Sequence, residues 1–347
     1  VRLEDLLHID VPIIQAPMAG VQGSALAIAV SNAGGLGSLP CATLERDALI
    51  AELESIREGT DRPYNVNFFC HAPPACDRER DEKWRELLLP YYAAYGLDPD
   101  EGTRLPLRRP FSAAEAEVLE AFHPPVVSFH FGLPSVDLLA RVKGWGAKVF
   151  ASATTVTEAR WLEAHGADAI IAQGIEAGGH RGMFLTDDLT TQMGTLALVP
   201  QVVAAVDVPV IAAGGIADAS GVNAAKSLGA AGVQVGTAYL LCPEATTSHL
   251  HRSRIKEGID LHTAVTNLFS GRPSRGIVNR LMNELGPINA AAPAFPLASI
   301  RLAPLRQRAE RVGRGDFSPL WCGQNATGCR ELSAALLTQA LAGRAAG

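Results

Sequence analysis

Short apolar runs rich in β-branched residues alternate along this chain with longer segments whose apolar and charged positions recur at helical spacing. The runs at 12–15, 35–39, 64–68, 126–129, 148–152, 169–172, 208–212 and 232–235 predict eight strands. Helices are predicted at about 24–32, 44–57, 135–144, 157–165, 194–206 and 217–228. Strand and helix in strict alternation point to an α/β fold, a closed parallel (β/α)8 or TIM barrel. An open doubly wound sheet is the competing reading. The strand count and the lack of a GxGxxG after the first strand weigh against it.

Two regions break the alternation. Residues 71–122 exceed one loop and hold Pro73-Pro74, a charged helix near 77–88 and a Pro/Arg stretch at 104–110. After the eighth strand, 244–315 is a second excursion rich in Ala, Pro and Arg. Insertions after strands three and eight emerge at the C-terminal rim, where barrel active sites lie. They are read as one lid subdomain, 71–115 with 244–315. The barrel is then 1–70, 116–243 and 316–347. A last helix at about 331–342 is expected to pack back on the barrel.

Composition narrows the function classes. The net charge of -6 comes without a basic stripe, which argues against nucleic acid as a partner. No apolar run approaches the ~18 residues of a membrane span. The run at 25–30 is too short and too far in for a signal peptide. Six scattered cysteines without a CxxC pair read as reduced thiols of a cytoplasmic protein. Cys322 and Cys329 with a histidine are a weak zinc candidate, and no metal is expected. The partner is a small molecule, and the chain is expected to be a monomer or homodimer.

The glycines suggest what that molecule carries. The sixth strand runs into Gln173-Gly-Ile-Glu-Ala-Gly-Gly-His-Arg-Gly182, with Gly178 and Gly179 at its centre. The seventh ends at Gly214-Gly215, and the eighth at Gln234-Val235-Gly236-Thr237. One such turn is an ordinary strand-to-helix connection. Three on adjacent strands suit a cofactor phosphate held by backbone N–H groups at helix starts. Ala16-Pro17-Met18 ends the first strand; Pro17 stiffens the rim, and Met18 is either core or a soft surface for a flat ring. Asn67 and Gln173 can each donate and accept, as a heterocycle edge requires.

His130 ends the fourth strand. Imidazole changes charge near neutral pH, so His130 is the candidate base or anion holder. The plainer reading is a structural hydrogen-bonding histidine. His180 in the glycine loop and His71 at the start of the first insertion are weaker candidates. Arg272 and Arg275 lie in the basic stretch 270–276, where they either attract an anion or form surface ion pairs.

These motifs together resemble the nitronate monooxygenase family, formerly called 2-nitropropane dioxygenases. The carriers are Gln15-Ala-Pro-Met18, Ser31-Asn-Ala-Gly-Gly-Leu-Gly37, Asn65-Val-Asn-Phe-Phe-Cys-His71, Ser128-Phe-His-Phe-Gly132, Gln173 to His180, Ala213-Gly-Gly-Ile216 and Gln234 to Thr237. They cover nearly the whole chain and look like the class I bacterial members more than the enoyl reductase relatives. The resemblance implies a TIM barrel with FMN held non-covalently. Asn67, Gln173, Gly178, Gly215 and the Gln234–Thr237 turn would touch FMN; the strand-end reading adds Ala16, Pro17, Met18, Gly179 and Gly214 to the expected cofactor site. His130 matches the family's active-site histidine.

The implied activity is oxidation of alkyl nitronates by O2 to a carbonyl compound and nitrite. The alternatives are an NAD(P)H-dependent FMN reductase of quinones or enoyl thioesters and a non-catalytic flavin-binding protein. Related bacterial enzymes carry two tyrosines and a lysine, four apart, after strand eight; Phe295, Ser299 and Ala303 stand there in this chain. With His130 and His180, Phe295 and Ser299 form the expected substrate set. Such a pocket offers a carboxylate no partner unless Arg272 or Arg275 replaces the lysine, so alkyl nitronates without a carboxylate are expected to be preferred over propionate 3-nitronate.

Overall fold

A computed structural model describes residues 2–100 and 108–344. Most of the predicted stretch 104–110 lies outside the described residues, which resume at Arg108. The eight strands are Ile13–Gln15, Gly37–Pro40, Tyr64–Phe69, Val126–His130, Lys148–Ala153, Ala169–Gln173, Val210–Ala213 and Gly232–Val235. All pair in parallel, each with its sequence neighbours, and the first also pairs with the last. The ring closes between the first and second: Leu36 N donates to Ile13 O at 2.9 Å, and Gln15 N to Leu36 O at 3.0 Å. The result is the expected (β/α)8 barrel.

Side-chain alternation divides the strands into two faces. On the fourth strand, Val127 and Phe129 point outward and pack with Leu139 and Val142 of the covering helix Val136–Gly144. Val126 points inward with Ile14, Leu36, Phe150, Ala169, Ile171 and Ile211. Leu3 and Leu7, from a helix that the pattern did not predict, complete this inner core where the strands begin. One step further along each strand the inward register turns polar. Ser128 and His130 follow Val126, Ser152 follows Phe150, and Gln173 follows Ile171. An apolar plug at one end and polar groups at the other make the strands' C-terminal ends the candidate site.

The insertions build on this rim. Helix Arg78–Tyr95 runs longer than predicted, from the Asp77 cap to Gly96 in the left-handed conformation. It packs on helix Ala298–Arg311 through Trp84, Leu88, Tyr92, Leu302 and Leu305. Helix Ala113–Phe122 opens on a Ser112/Glu115 capping box and shares the barrel's outer layer with helix Arg46–Gly59. Thr263–Thr266, Ser274–Ile277 and Gly179–His180 form a small antiparallel sheet. The sequence pattern gave no sign of it, because strands this short, one holding Arg and Gly, carry no alternation. This sheet ties the glycine loop to the second insertion. Helix Ala334–Leu341 closes the chain against helix Ser24–Asn32, as expected of the last helix. Among the described residues, no helix is long and apolar enough to cross a membrane.

Candidate active site

Strand ends four and six meet at one backbone oxygen. The carbonyl of His180 accepts from Nε2 of Gln173 at 3.0 Å and from Nε2 of His130 at 3.1 Å. Gln173 Oε1 accepts from Gly182 N at 2.8 Å, so both ends of this amide brace the glycine loop. His130 Nδ1 sits 3.0 Å from Ser152 Oγ. A side chain at Gly182 would meet Ser152 Cβ at 2.9 Å and His130 Cε1 at 3.0 Å, which is why the loop needs glycine there.

Around this knot stands an aromatic wall. Phe295 packs edge-on against His71 at 4.7 Å and His180 at 5.3 Å, and Phe131 lies 5.4 Å from it. Phe131 holds the left-handed backbone conformation, φ 70°, rare for a bulky residue and typical of functional sites. Two guanidinium groups face the wall. Arg272 Cζ stands 4.1 Å from the Phe131 ring centre, and Arg108 Cζ 6.0 Å from that of Phe295. Among the described residues, the buried Nε of each has no hydrogen-bond partner.

Burial in this setting keeps the imidazoles neutral. His130 is pushed down to about 4, chiefly by burial and further by the charges of Arg272 and Arg181. His71 falls to about 4 by burial and Arg272, and His180 is also held well below its ordinary value by burial. The expectation that His130 changes charge near neutral pH is therefore corrected: desolvation of the cation removes that titration. Burial also lowers Arg108 to about 10, which still leaves it cationic at neutral pH.

The two lid arginines have different fates. Arg275 is spent on structure, donating from Nε to Ile175 O at 2.9 Å and from Nη1 to Thr263 Oγ1 at 3.1 Å. Arg272 donates to Met183 O and keeps its Nε at the wall. Phe295 stands in the aromatic wall with Arg108 over its ring, and Arg272 lies over the neighbouring Phe131 ring, so a lid arginine does bring a cation near the position where the family's lysine is missing. Ser299 turns its hydroxyl to Pro296 O at 2.8 Å, and Ala303 is buried.

The glycine turns lie on the adjoining strands. Gly179, Gly214 and Gly215 have φ of 73°, 120° and 72°, which favour glycine. Gly178 is required for a different reason. A Cβ there would lie 2.6 Å from Gly323 N and 2.7 Å from the Cys322 carbonyl carbon. Ala16 N donates to Val235 O at 2.8 Å, and the turn at Gly236 passes close to Ala16 and Met18. A Cβ at Gly236 would stand 3.3 Å from Ala16 Cβ and 3.5 Å from Met18 Sδ. Pro17 joins these two residues at the same rim. Asn67 donates to Ser128 Oγ at 2.9 Å, and Gln234 Oε1 is buried without a partner among the described residues.

Several contributors were missed in the sequence reading. Arg181, fully buried, donates to the carbonyls of Gly174 and Gln173, both at 2.7 Å. Glu176 accepts from Thr195 N and Thr195 Oγ1, both at 2.9 Å, pinning the loop to the start of helix Thr195–Val203. Fully buried Glu158 takes Thr154 N and Phe184 N, both at 2.7 Å. Cys322 to Asn325 lies across the glycine turns. An Arg or Glu within an apolar, glycine-rich segment is the one signal that marks Arg181 and Glu176.

The family model described as nitronate monooxygenase matches residues 1–342. The chain is 41% identical to a nitronate monooxygenase of Pseudomonas aeruginosa, covering 98% of this chain and 97% of that protein. It is 37% identical to a probable nitronate monooxygenase of Staphylococcus saprophyticus, covering 96% and 94%. A solved nitroalkane oxidase from Streptomyces ansochromogenes superposes with a TM-score of 0.87 at 39% identity, covering 99% and 97%. FabK from Thermotoga maritima follows with a TM-score of 0.72 at 28% identity, covering 98% and 94%.

Proposed function

Because the chain belongs to the nitronate monooxygenase family, we propose that it oxidises alkyl nitronates with FMN and O2 to a carbonyl compound and nitrite. The observation that carries this reading is the character of the side chains gathered at the strand ends. Arg108 and Arg272 present buried Nε–H groups, unpartnered among the described residues, beside neutral histidines and an aromatic wall. Such a set of groups suits an anion with an apolar body, and a nitronate is the anion of a nitroalkane. Buried N–H donors gain most from a charged acceptor, because the cost of leaving them unpaired disappears.

The turns fit a flavin carrying a phosphate. Gly215 and the Gly236–Thr237 turn offer backbone N–H groups, Met18 and Ala16 an apolar floor, and Gln234 Oε1 and Asn67 polar edges. When bound, FMN supplies the redox chemistry, and the protein supplies orientation and electrostatics.

His130 holds the His180 carbonyl. A nitronate arrives already deprotonated and makes no demand on a base. For a neutral nitroalkane, His130 is the base only after its Nδ1 leaves Ser152. Anaerobic mixing decides between this reading and a reductase. Bleaching by an alkyl nitronate and not by NADH is expected, with flavin monophosphate released on heating. Bleaching by NADH alone, or release of FAD, overturns the assignment.

A further inference from the structure

The segment Cys322 to Asn325 touches all three glycine turns, though it lies more than eighty residues beyond the last of them. Gly323 N donates to Thr237 Oγ1 at 3.0 Å. Because that hydroxyl oxygen is the acceptor, its proton stays free to be donated to a ligand. Asn325 Nδ2 donates to Gly215 O at 2.9 Å. The Asn325 amide is oriented from behind, since its Oδ1 accepts from Thr327 N at 3.2 Å and Thr327 Oγ1 at 2.6 Å. Gln324 N donates to Glu176 O at 2.9 Å. The backbone approach is close on both sides: a Cβ on Gly323 would meet Glu176 O at 3.0 Å and Gly178 N at 3.3 Å. Just upstream, Trp321 lies 5.4 Å from the His180 ring and bridges to Gly276 of the small sheet.

We propose that this segment is a strap that holds the phosphate turns in their binding shape, with Asn325 and Gly323 as positioning residues. It rests on the reading of these turns as the FMN phosphate site. The turns carry left-handed glycines, which are the freest residues in the chain to rearrange. Nothing within the turns themselves fixes the Gly215 carbonyl or the Thr237 hydroxyl; the strap fixes both. The phosphate is the part of the cofactor that depends on this shape.

The test compares FMN with riboflavin, which lacks the phosphate, by titrating apoprotein and following flavin fluorescence. Losing one hydrogen bond at Asn325→Ala should weaken FMN about fivefold to tenfold. Riboflavin affinity should change less than twofold or so. Thr327→Val, at an exposed position, only loosens the Asn325 amide and should show a smaller loss in the same direction. Melting of the apoproteins separates positioning from simple damage to the fold. Equal losses for both flavins, or a changed melting point with an unchanged FMN-to-riboflavin ratio, overturn the strap. If the wild-type protein binds no FMN, the cofactor reading falls and the strap falls with it. Wild-type binding with an unaltered ratio in both variants overturns the strap alone.

Discussion

His130 and His180 lie 50 residues apart in sequence, yet the Nε2–H of the first donates to the backbone carbonyl of the second. A carbonyl can only accept, so the His130 proton sits on Nε2 and the lone pair on Nδ1 faces the Ser152 hydroxyl. Fixing one tautomer in a buried site makes this imidazole a structural donor first. Its basicity is held in reserve behind a hydrogen bond.

That arrangement predicts a split between substrates for His130→Asn. Turnover of a neutral nitroalkane should fall by roughly the 10²–10⁴-fold typical of a general base. With preformed nitronate the loss should stay below about tenfold, since no proton needs removing. FMN should remain bound. Equal losses on both substrates would show that His130 acts by shaping the loop alone.

Acid should destabilise the protein well before its carboxylates titrate. His71, His130 and His251 are each lowered to about 4 by burial, and His180 is lowered too. Unfolded histidines take up protons near 6.5, the folded ones only near 4, so stability is lost as pH falls through that window. Each histidine contributes up to about 1.4 kcal/mol per pH unit there. Urea unfolding between those limits measures the slope, and a flat profile would contradict the buried neutral histidines. His251→Gln, outside the aromatic wall, should lower the slope without altering substrate affinity.

Arg272 and Arg275 should respond differently to the same change. Arg272→Gln removes a cation from the wall and should raise KM for nitronates roughly 10- to 100-fold, with about 1 kcal/mol lost with its bond to Met183 O. Arg275→Gln strips partners from Ile175 and Thr263 and should cost about 1–3 kcal/mol of stability. With Arg108 over the Phe295 ring and Arg272 over the neighbouring Phe131 ring, propionate 3-nitronate should no longer be disfavoured against propyl nitronate. Its kcat/KM should drop more than that of propyl nitronate in Arg108→Gln. A persistent preference for propyl nitronate in wild type would show that the guanidinium groups serve the nitronate group alone.

Two adjacent glycines should fail for unlike reasons. Gly179→Ala meets no atom within 4 Å, and its cost is the left-handed backbone, about 1–2 kcal/mol. Gly178→Ala drives a methyl into the backbone of Cys322 and Gly323, and should cost more and release flavin. Thermal melting and flavin retention of the two variants check the order; the reverse order would mean that the strap yields.

The barrel was legible in the sequence because its signals are local. A β-branched run and a helical period are set within a dozen residues, and eight repeats of that pair leave few other folds. The glycine turns and the strand-end positions of Asn67, His130 and Gln173 follow from the same local grammar. Tertiary structure decided everything that depends on a partner far along the chain. It assigned Arg275 to the Ile175 carbonyl and left Arg272 at the wall, though the two lie three places apart in one basic stretch. It brought Arg108 and Phe295 together from two separate insertions. It made Gly178 a seat for Gly323 and kept His130 neutral. Burial and hydrogen-bond partners set a group's charge and its freedom to act, and both are properties of the packed chain rather than of any short stretch of it.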